Sequence, residues 1–210
     1  MTTVASTYAS KNLTPLPEYV VFDPAKDKDV PKIYRTIAKP LSFPLSAADE
    51  KDVSLLTAKF DGETNCAGLA APQIGISKAI IIFSVPDNDP ELKKRRPDLT
   101  DTIPKTIWIN PKYEGIESFG YNEDYEACFS IKSYAGSVTR YKKISYETYT
   151  LMGQLVKGTT EGFLARLIQH EIDHLNGILW IDKVDPNKLI SLDEYRRMRQ
   201  PQLEQAKTEI

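Results

Sequence analysis

Apolar positions follow two different periods along the chain, and together they predict an α+β fold. The first period is helical. Between Ser46 and Phe60, the apolar residues Val53, Leu56 and Phe60 fall on one face of a helix. Ser46 is a suitable N-cap because its hydroxyl can accept a hydrogen bond from a backbone N–H in the first turn. We therefore expect a helix here, packed on a sheet.

The segment from Thr159 to Asn176 predicts a second and longer helix. Thr159 or Thr160 would cap its start, and Asn176-Gly177 would provide the left-handed turn that ends it. Its apolar positions recur with helical spacing and define one buried stripe: Leu164, Leu167, Ile168, Ile172 and Leu175.

The second period is that of β-strands. Several segments are rich in β-branched and aromatic residues and are separated by turn-forming residues. They are Lys78 to Val85, Thr106 to Asn110, Asp124 to Ile131 and Ile144 to Tyr149. We expect both helices to pack against these short, mostly antiparallel strands.

The remaining segments predict one domain with an appendage at each end. Repeated prolines indicate an extended arm over residues 1–30, because proline removes a backbone donor and interrupts helices. Residues 31–186 would form the domain. Residues 187–210 would carry a last helix, from about Pro186 to Arg199, and a polar tail. The segment Pro86 to Pro104 is rich in charges and prolines, which is typical of a solvated loop.

Composition excludes several classes of protein. Lys and Arg number 27 against 29 Asp and Glu, so the net charge of −2 favours neither nucleic acid nor a membrane surface as a partner. The longest apolar run, Ala79 to Phe83, is far shorter than the roughly 20 residues that span a bilayer. Met1 to Ser10 lacks the features of a secretory signal. Two cysteines in 210 residues do not make a disulfide framework. We therefore expect a cytoplasmic protein.

The second helix carries the clearest chemical signal, the H-E-x-x-H motif from His170 to His174. These are the only two histidines in the sequence. On a helix the two imidazoles lie about 40° apart and one turn along, so both can bind a single cation with Glu171 beside them. The motif predicts a partly sheltered metal site with an open side.

A catalytic metal needs a third protein ligand, and spacing alone does not identify it. Cys128 is a candidate because a free thiol in a strand-like segment has no other evident role. Cys66, Glu126 or an aspartate are alternatives. The residues by themselves thus predict a two-histidine metal helix with one unassigned ligand.

Three segments in order resemble the motifs of the peptide deformylase family. Residues 66–73, CAGLAAPQ, resemble the glycine-rich motif G-x-G-x-A-A-x-Q. Residues 126–130, EACFS, resemble E-G-C-x-S, and residues 169–174, QHEIDH, match Q-H-E-x-D-H in full. The resemblance covers about Val30 to Pro186. It implies a deformylase-like α+β fold and removal of the formyl group from N-formylmethionine of nascent polypeptides.

Carried onto this sequence, the resemblance implies a role for each motif residue. Cys128, His170 and His174 would bind the metal, and Glu171 would be the general acid and base. The side-chain amide of Gln73 and the backbone N–H of Phe129 would stabilise the oxygen of the formyl group.

Further residues would orient the site or contact the substrate. Arg140 would pair with Asp173 and hold the metal helix against the strands. Phe163 and Leu167 would line a methionine pocket, or alternatively belong to the core. The backbone at Gly68 would allow close approach of the substrate. Arg166 would extend to the surface or meet backbone carbonyls of the peptide.

The cofactor that the resemblance implies is one divalent metal ion per chain, with Fe(II) as the working ion. Zn(II), Ni(II) and Co(II) are alternatives, since thiolate and imidazole ligands suit all of them. The partners would be N-formylmethionyl nascent peptides near the ribosome, with no nucleic acid and no membrane.

The sequence departs from the family motifs at two positions, where Cys66 and Ala127 replace glycines. If either position required a left-handed backbone or close approach to the ligand, its side chain would narrow the site. Alternative functions are therefore a deformylase-like metal-binding protein with reduced or altered activity, and a zinc endopeptidase, which H-E-x-x-H alone would also suggest.

Overall fold

The computed structural model describes residues 15–64, 66–86, 93, 96 and 98–198. Within these ranges two longer helices and eight strands are present: α1 (Ala47–Gly62), β1 (Gly68–Ala70), β2 (Ile80–Val85), β3 (Ile103–Gly115), β4 (Tyr121–Glu126), β5 (Tyr134–Tyr141), β6 (Lys143–Tyr149), β7 (Leu155–Glu161), α2 (Gly162–Leu175) and β8 (Ile190–Ser191). Every described helix is too short or too polar to cross a bilayer.

The strands form two antiparallel sheets. The larger has the order β1-β2-β3-β6-β7, and the smaller has the order β4-β5-β8. The α+β prediction is confirmed.

The larger sheet is covered by a helix on each face, and β2 shows why. Side chains alternate across a strand, so Ile80 and Ile82 face one side while Ile81 and Phe83 face the other. The first pair packs in the cluster that contains the buried residues of α1, and the second pair packs in the cluster that contains the stripe of α2. This explains why β2 is an uninterrupted apolar run rather than an alternating one.

The first predicted helix is present with the expected cap. The Ser46 hydroxyl accepts a hydrogen bond from Asp49 N at 3.2 Å, and Asp49 Oδ2 accepts one from Ser46 N at 3.0 Å. This reciprocal pair is a capping box. Val53, Leu56 and Phe60 are buried, as predicted.

The prediction for the start of the second helix is wrong, whereas its end and its buried stripe are confirmed. Thr159 and Thr160 belong to β7, which stays paired with β6 as far as Glu161. The Thr160 hydroxyl donates to Asp101 Oδ2 at 2.6 Å instead of capping α2. The chain turns from strand to helix at Gly162, whose φ of +63° is accessible to glycine. Gly177, at φ +72°, ends the helix as expected.

Two strand predictions differ from the structure in length. The predicted strand from Asp124 ends at Glu126, so Cys128 lies in the turn that follows and Ile131 N donates to Cys128 O. The predicted strand Thr106–Asn110 is part of the longer β3. A register shift at Asn110, where φ is +51°, lets the strand continue through Pro111.

The C-terminal segment also differs from the prediction. The last helix does not start at Pro186: a 3-10 turn, Pro186–Lys188, and β8 precede a helical stretch at 192–198. In the described part of the arm, many side chains are exposed, whereas Phe22 is buried beside Ile131. Within the predicted loop, residues 87–92, 94, 95 and 97 lie outside the described residues, and so do residues 199–210 of the tail. The domain boundaries at 30 and 186 stay predictions.

Candidate active site

Three potential metal ligands converge between α2 and the turn after β4. The Nε2 atoms of His170 and His174 face each other at 3.3 Å, as their spacing of one helical turn predicts. Cys128 completes the group, in which all ligand atoms lie within 4.8 Å of one another. Among the described residues this is the one group of three or more such side chains, and Cys66 is not part of it.

The donor chemistry of this group fits a transition-metal ion. A thiol and two imidazoles are ligands that such cations prefer, and both histidines lie in the interior, where an unbound polar ring is costly. His174 Nδ1 is buried and has no hydrogen-bond partner in the described part of the chain. Burial lowers the pKa of His174 and so favours the neutral ring, which is the form that binds a metal.

Glu126 orients the first histidine. Its Oε2 atom lies 2.8 Å from His170 Nδ1, which leaves His170 Nε2 directed toward His174 and Cys128. A carboxylate behind a metal-binding histidine fixes the ring and increases the basicity of the nitrogen on the other side. Sequence reasoning weighed Glu126 only as a competing ligand and did not identify this role.

Two buried arginines neutralise Glu126. Arg140 Nε donates to Glu126 Oε1 at 2.6 Å, and Arg166 Nη1 donates to the same oxygen at 2.7 Å. Burial alone would raise the pKa of Glu126, but the hydrogen bonds from Arg140 and His170 hold it well below its usual range. Arg140 also donates to Asp173 Oδ2 at 2.7 Å, which is the pairing expected from the sequence. The network joins β4, β5 and α2.

The structure places Arg166 in this network and not in a substrate pocket. Besides Glu126, it donates to Val138 O at 3.0 Å and to Asn122 O at 2.7 Å, and its side chain is buried. The expectation that it reaches the surface or the peptide is wrong, because all of these acceptors belong to β4 and β5.

Glu171 lies beside the three ligands in an enclosed position. The residue is 3% exposed, and its Oε2 atom has no hydrogen-bond partner among the described residues. Burial raises the pKa of its carboxyl to about 7. A carboxyl group with a pKa near neutrality can both accept and donate a proton under ordinary conditions.

Gly68 leaves the space that the Glu171 carboxyl occupies. A Cβ atom added to Gly68 would lie 2.5 Å from Glu171 Oε1 and 2.9 Å from Leu167 Cδ1. Leu167 therefore borders the site. Phe163 packs at the edge of the core, where its ring lies 4.2 Å from the Arg96 guanidinium carbon. Arg96 itself is ion-paired with Asp98 and Asp124, so this point of the predicted solvated loop is folded against the protein.

Two hydrogen-bond donors lie on neighbouring turns of the site. Gln73 is buried, and its Oε1 atom accepts from Ala70 N at 2.8 Å while its Nε2 atom donates to Ser130 Oγ at 3.2 Å. Nε2 carries a second hydrogen, which remains available to a ligand. On the adjacent turn, the Phe129 N–H donates to no carbonyl or side chain in the described structure.

The two departures from the family motifs do not distort the backbone. Neither Cys66 nor Ala127 lies in the left-handed region; among described residues other than glycine, only Asn110 and Ser133 do. Cys66 turns inward, and its thiol donates to Gly68 O at 3.1 Å. Burial raises the pKa of this thiol to about 12, so it stays protonated and unreactive.

The fold and this site together define a metal-dependent amide hydrolase. The polypeptide deformylase family model matches residues 27–189, and the chain belongs to that family. Its activity is the removal of the formyl group from N-formylated nascent peptides.

Individual relatives support the assignment. The chain is 52% identical to peptide deformylase 2 of Rickettsia conorii over 197 residues, which cover 93% of this chain and 96% of the relative. A class I type b peptide deformylase from Acinetobacter baumannii with Met-Ala-Ser bound has a TM-score of 0.63 and 31% identity, over 75% of this chain and 95% of that one. The peptide deformylase of Thermotoga maritima gives a TM-score of 0.63 at 26% identity, over 82% of this chain and 100% of that one.

Proposed function

We propose that Cys128, His170 and His174 hold the metal ion of this deformylase and that Glu171 is its general acid and base. The observation that carries the proposal is the convergence of three ligand atoms within 4.8 Å of one another, with the Glu171 carboxyl on the residue next to His170. When bound, a divalent cation supplies Lewis acidity, which makes water more acidic and polarises a carbonyl oxygen.

The side chains of this site account for the proton transfers of formyl hydrolysis. Glu171 takes a proton from the water molecule whose oxygen bonds to the formyl carbon. It returns this proton to the amine nitrogen as the carbon–nitrogen bond breaks, which leaves formate and a free N-terminus. The raised pKa of Glu171 suits both transfers.

The two free donors stabilise the oxygen of the formyl group as its negative charge develops. We propose that Gln73 Nε2–H and the Phe129 N–H donate to it from adjacent turns. Donors of this kind contribute roughly 3 to 4 kcal/mol each in comparable sites, because they are already oriented before the reaction.

We further propose that the substrate is an N-formylmethionyl peptide bound along β1. This strand lies at the edge of the larger sheet, and its first residue, Gly68, packs against Glu171. An edge strand offers unpaired backbone groups to an extended peptide. Leu167 borders the adjacent space and Phe163 lies one turn earlier on the helix, so these two residues would contact the methionine side chain. Because the substrate is a newly made polypeptide, we propose that the enzyme acts in the cytoplasm near the ribosome.

Fe(II) is the ion that we propose for the working enzyme, with Zn(II), Ni(II) and Co(II) as alternatives that the same ligands accept. The test combines metal analysis with an assay of formyl-Met-Ala-Ser, unformylated Met-Ala-Ser and a longer unformylated peptide. We expect formate release from the first substrate alone, with the highest turnover in protein purified without oxygen that contains iron. Cleavage of the longer peptide would contradict the proposal, and so would bound metal without formate release.

Replacing Glu126 by glutamine should lower metal affinity by about 10- to 100-fold, because the neutral amide no longer holds His170 as a carboxylate does. Titration of the metal-free protein with Zn(II) measures the effect. Glu123→Gln on the same strand is the matched control, since Glu123 is exposed and accepts from Ser137 Oγ. Equal affinities for the two variants would contradict the role of Glu126.

Replacing Gly68 by alanine should reduce kcat/KM by roughly 100-fold while the protein stays folded. The added Cβ meets Glu171 Oε1 at 2.5 Å, so the carboxyl must move from its position. Gly158→Ala is the control. Gly158 lies on β7, away from the three metal ligands, and a Cβ added there would also lie 2.5 Å from a side-chain oxygen, the Tyr146 hydroxyl. Both variants are assayed at full metal occupancy. A Gly68→Ala enzyme as active as Gly158→Ala would refute the explanation.

A further inference from the structure

A short segment of the N-terminal arm, residues 19–22, contacts both turns that carry the proposed donors. It precedes residue 27, where the match to the family model begins. Val20 N donates to Gln73 O at 2.8 Å, and Phe22 N donates to Ser130 O at 2.9 Å. The segment therefore connects the turn of Gln73 to the turn that follows β4.

Tyr34 strengthens this connection from the interior of the protein. Its hydroxyl donates to one of two acceptors, Val20 O or Ser130 Oγ, and lies within hydrogen-bond distance of both. Tyr34 is fully buried, so the arm and the turn are anchored to the same interior group. Residues 19–22 therefore belong to the structure around the site.

The first residue of the segment, Tyr19, makes a direct contact with Phe129. The two rings are stacked, with centroids 4.8 Å apart and planes inclined by 6°. Lys59 Nζ lies 4.1 Å from the Tyr19 ring centroid, and Tyr19 also packs against the buried cluster that contains Phe60 of α1. The tyrosine is thus held firmly, whereas Phe129 is 38% exposed.

We propose that Tyr19 is a positioning residue for deformylation, which acts by fixing Phe129 through this stack. Phe129 lies outside the strand pairing, and its N–H has no acceptor among the described residues. The peptide plane that carries this N–H also carries Cys128 O, which accepts from Ile131 N at 3.3 Å, and the ring stack on Tyr19 is a second restraint on the same residue. A donor stabilises the developing oxyanion only when it is oriented in advance. The proposal rests on the proposed function of the Phe129 N–H, and it assigns part of the restraint on that group to a residue outside the family match.

The experiment compares Tyr19→Ala and Tyr19→Phe with the wild-type enzyme at full metal occupancy. In Tyr19→Ala we expect kcat for formyl-Met-Ala-Ser to fall about tenfold with little change in KM, because a misdirected donor weakens binding of the transition state and not of the substrate. Tyr19→Phe retains the ring and should remain within about twofold of wild type. Tyr121→Ala is the matched control, since the Tyr121 ring packs on Tyr141 with the same centroid distance of 4.8 Å, although the planes are inclined by 35°, and this pair lies away from the proposed donors.

A second measurement does not depend on activity. In the Zn(II)-loaded protein, the NMR order parameter of the Phe129 N–H should fall in Tyr19→Ala and stay at its wild-type value in Tyr19→Phe and Tyr121→Ala. An unchanged order parameter in Tyr19→Ala would overturn the role of Tyr19, and so would an equal loss of kcat in Tyr19→Phe. Lack of formate release by the wild type would instead contradict the proposed function, so the two failures are distinguishable.

Discussion

Replacing Cys128 by alanine will remove both the bound metal and the deformylase activity. The ligand atoms of Cys128, His170 and His174 form one group, so without the thiol only two imidazoles remain on a single helix. Two ligands do not hold a catalytic ion tightly, since such sites use three protein ligands. We expect bound metal to fall from about one ion per chain to a small fraction of that, and activity to fall with it.

The second cysteine supplies the control for this prediction. Cys66→Ala removes a thiol that donates to Gly68 O and lies outside the ligand group, so metal content should be unchanged. Metal is measured by mass spectrometry after gel filtration, with formate release assayed on the same fractions. A Cys128→Ala protein that retains a full complement of metal would show that another residue is the third ligand.

The helical part of the site could be predicted from the sequence because its geometry is local. The spacing of His170 and His174 fixes their relative position once the segment is helical, and the structure places their Nε2 atoms 3.3 Å apart. The buried stripe of α2 could be predicted for the same reason. The start of α2 could not be predicted, because pairing between β6 and β7 extends through Thr160 and overrides the preference of threonine for an N-cap.

The buried ion-pair network around Glu126 could not be predicted from the sequence, since it depends on contacts between segments that are distant along the chain. Glu126 meets Arg140 on β5 and Arg166 on α2. Without these contacts, the sequence led us to expect Arg166 at the surface or on the backbone carbonyls of the peptide. One signal was available: Glu126 precedes Cys128 by two residues, and in an extended segment such residues lie on the same side. The stack of Tyr19 on Phe129 joins residues 110 positions apart by number, and no local pattern predicts it.

Replacing Glu171 by glutamine will lower kcat/KM by roughly 10² to 10⁴ while metal binding is retained. Glutamine has the same shape but cannot take a proton from water or return one to the amine. Metal content should stay at the wild-type level because the Glu171 carboxyl is not in the ligand group. This outcome separates Glu171 from Cys128, whose replacement is expected to remove metal and activity together.

Stability should not fall in Glu171→Gln, and this distinguishes loss of chemistry from loss of structure. The carboxyl is buried and its Oε2 atom has no hydrogen-bond partner among the described residues, so its charged form is unfavourable there. A neutral amide removes that cost, and we expect a Tm equal to or above that of the wild type by thermal unfolding. Glu123→Gln on the surface of β4 is the matched substitution and should leave kcat/KM unchanged. If Glu171→Gln retained more than about a tenth of wild-type kcat/KM with full metal occupancy, another group would have to carry the proton.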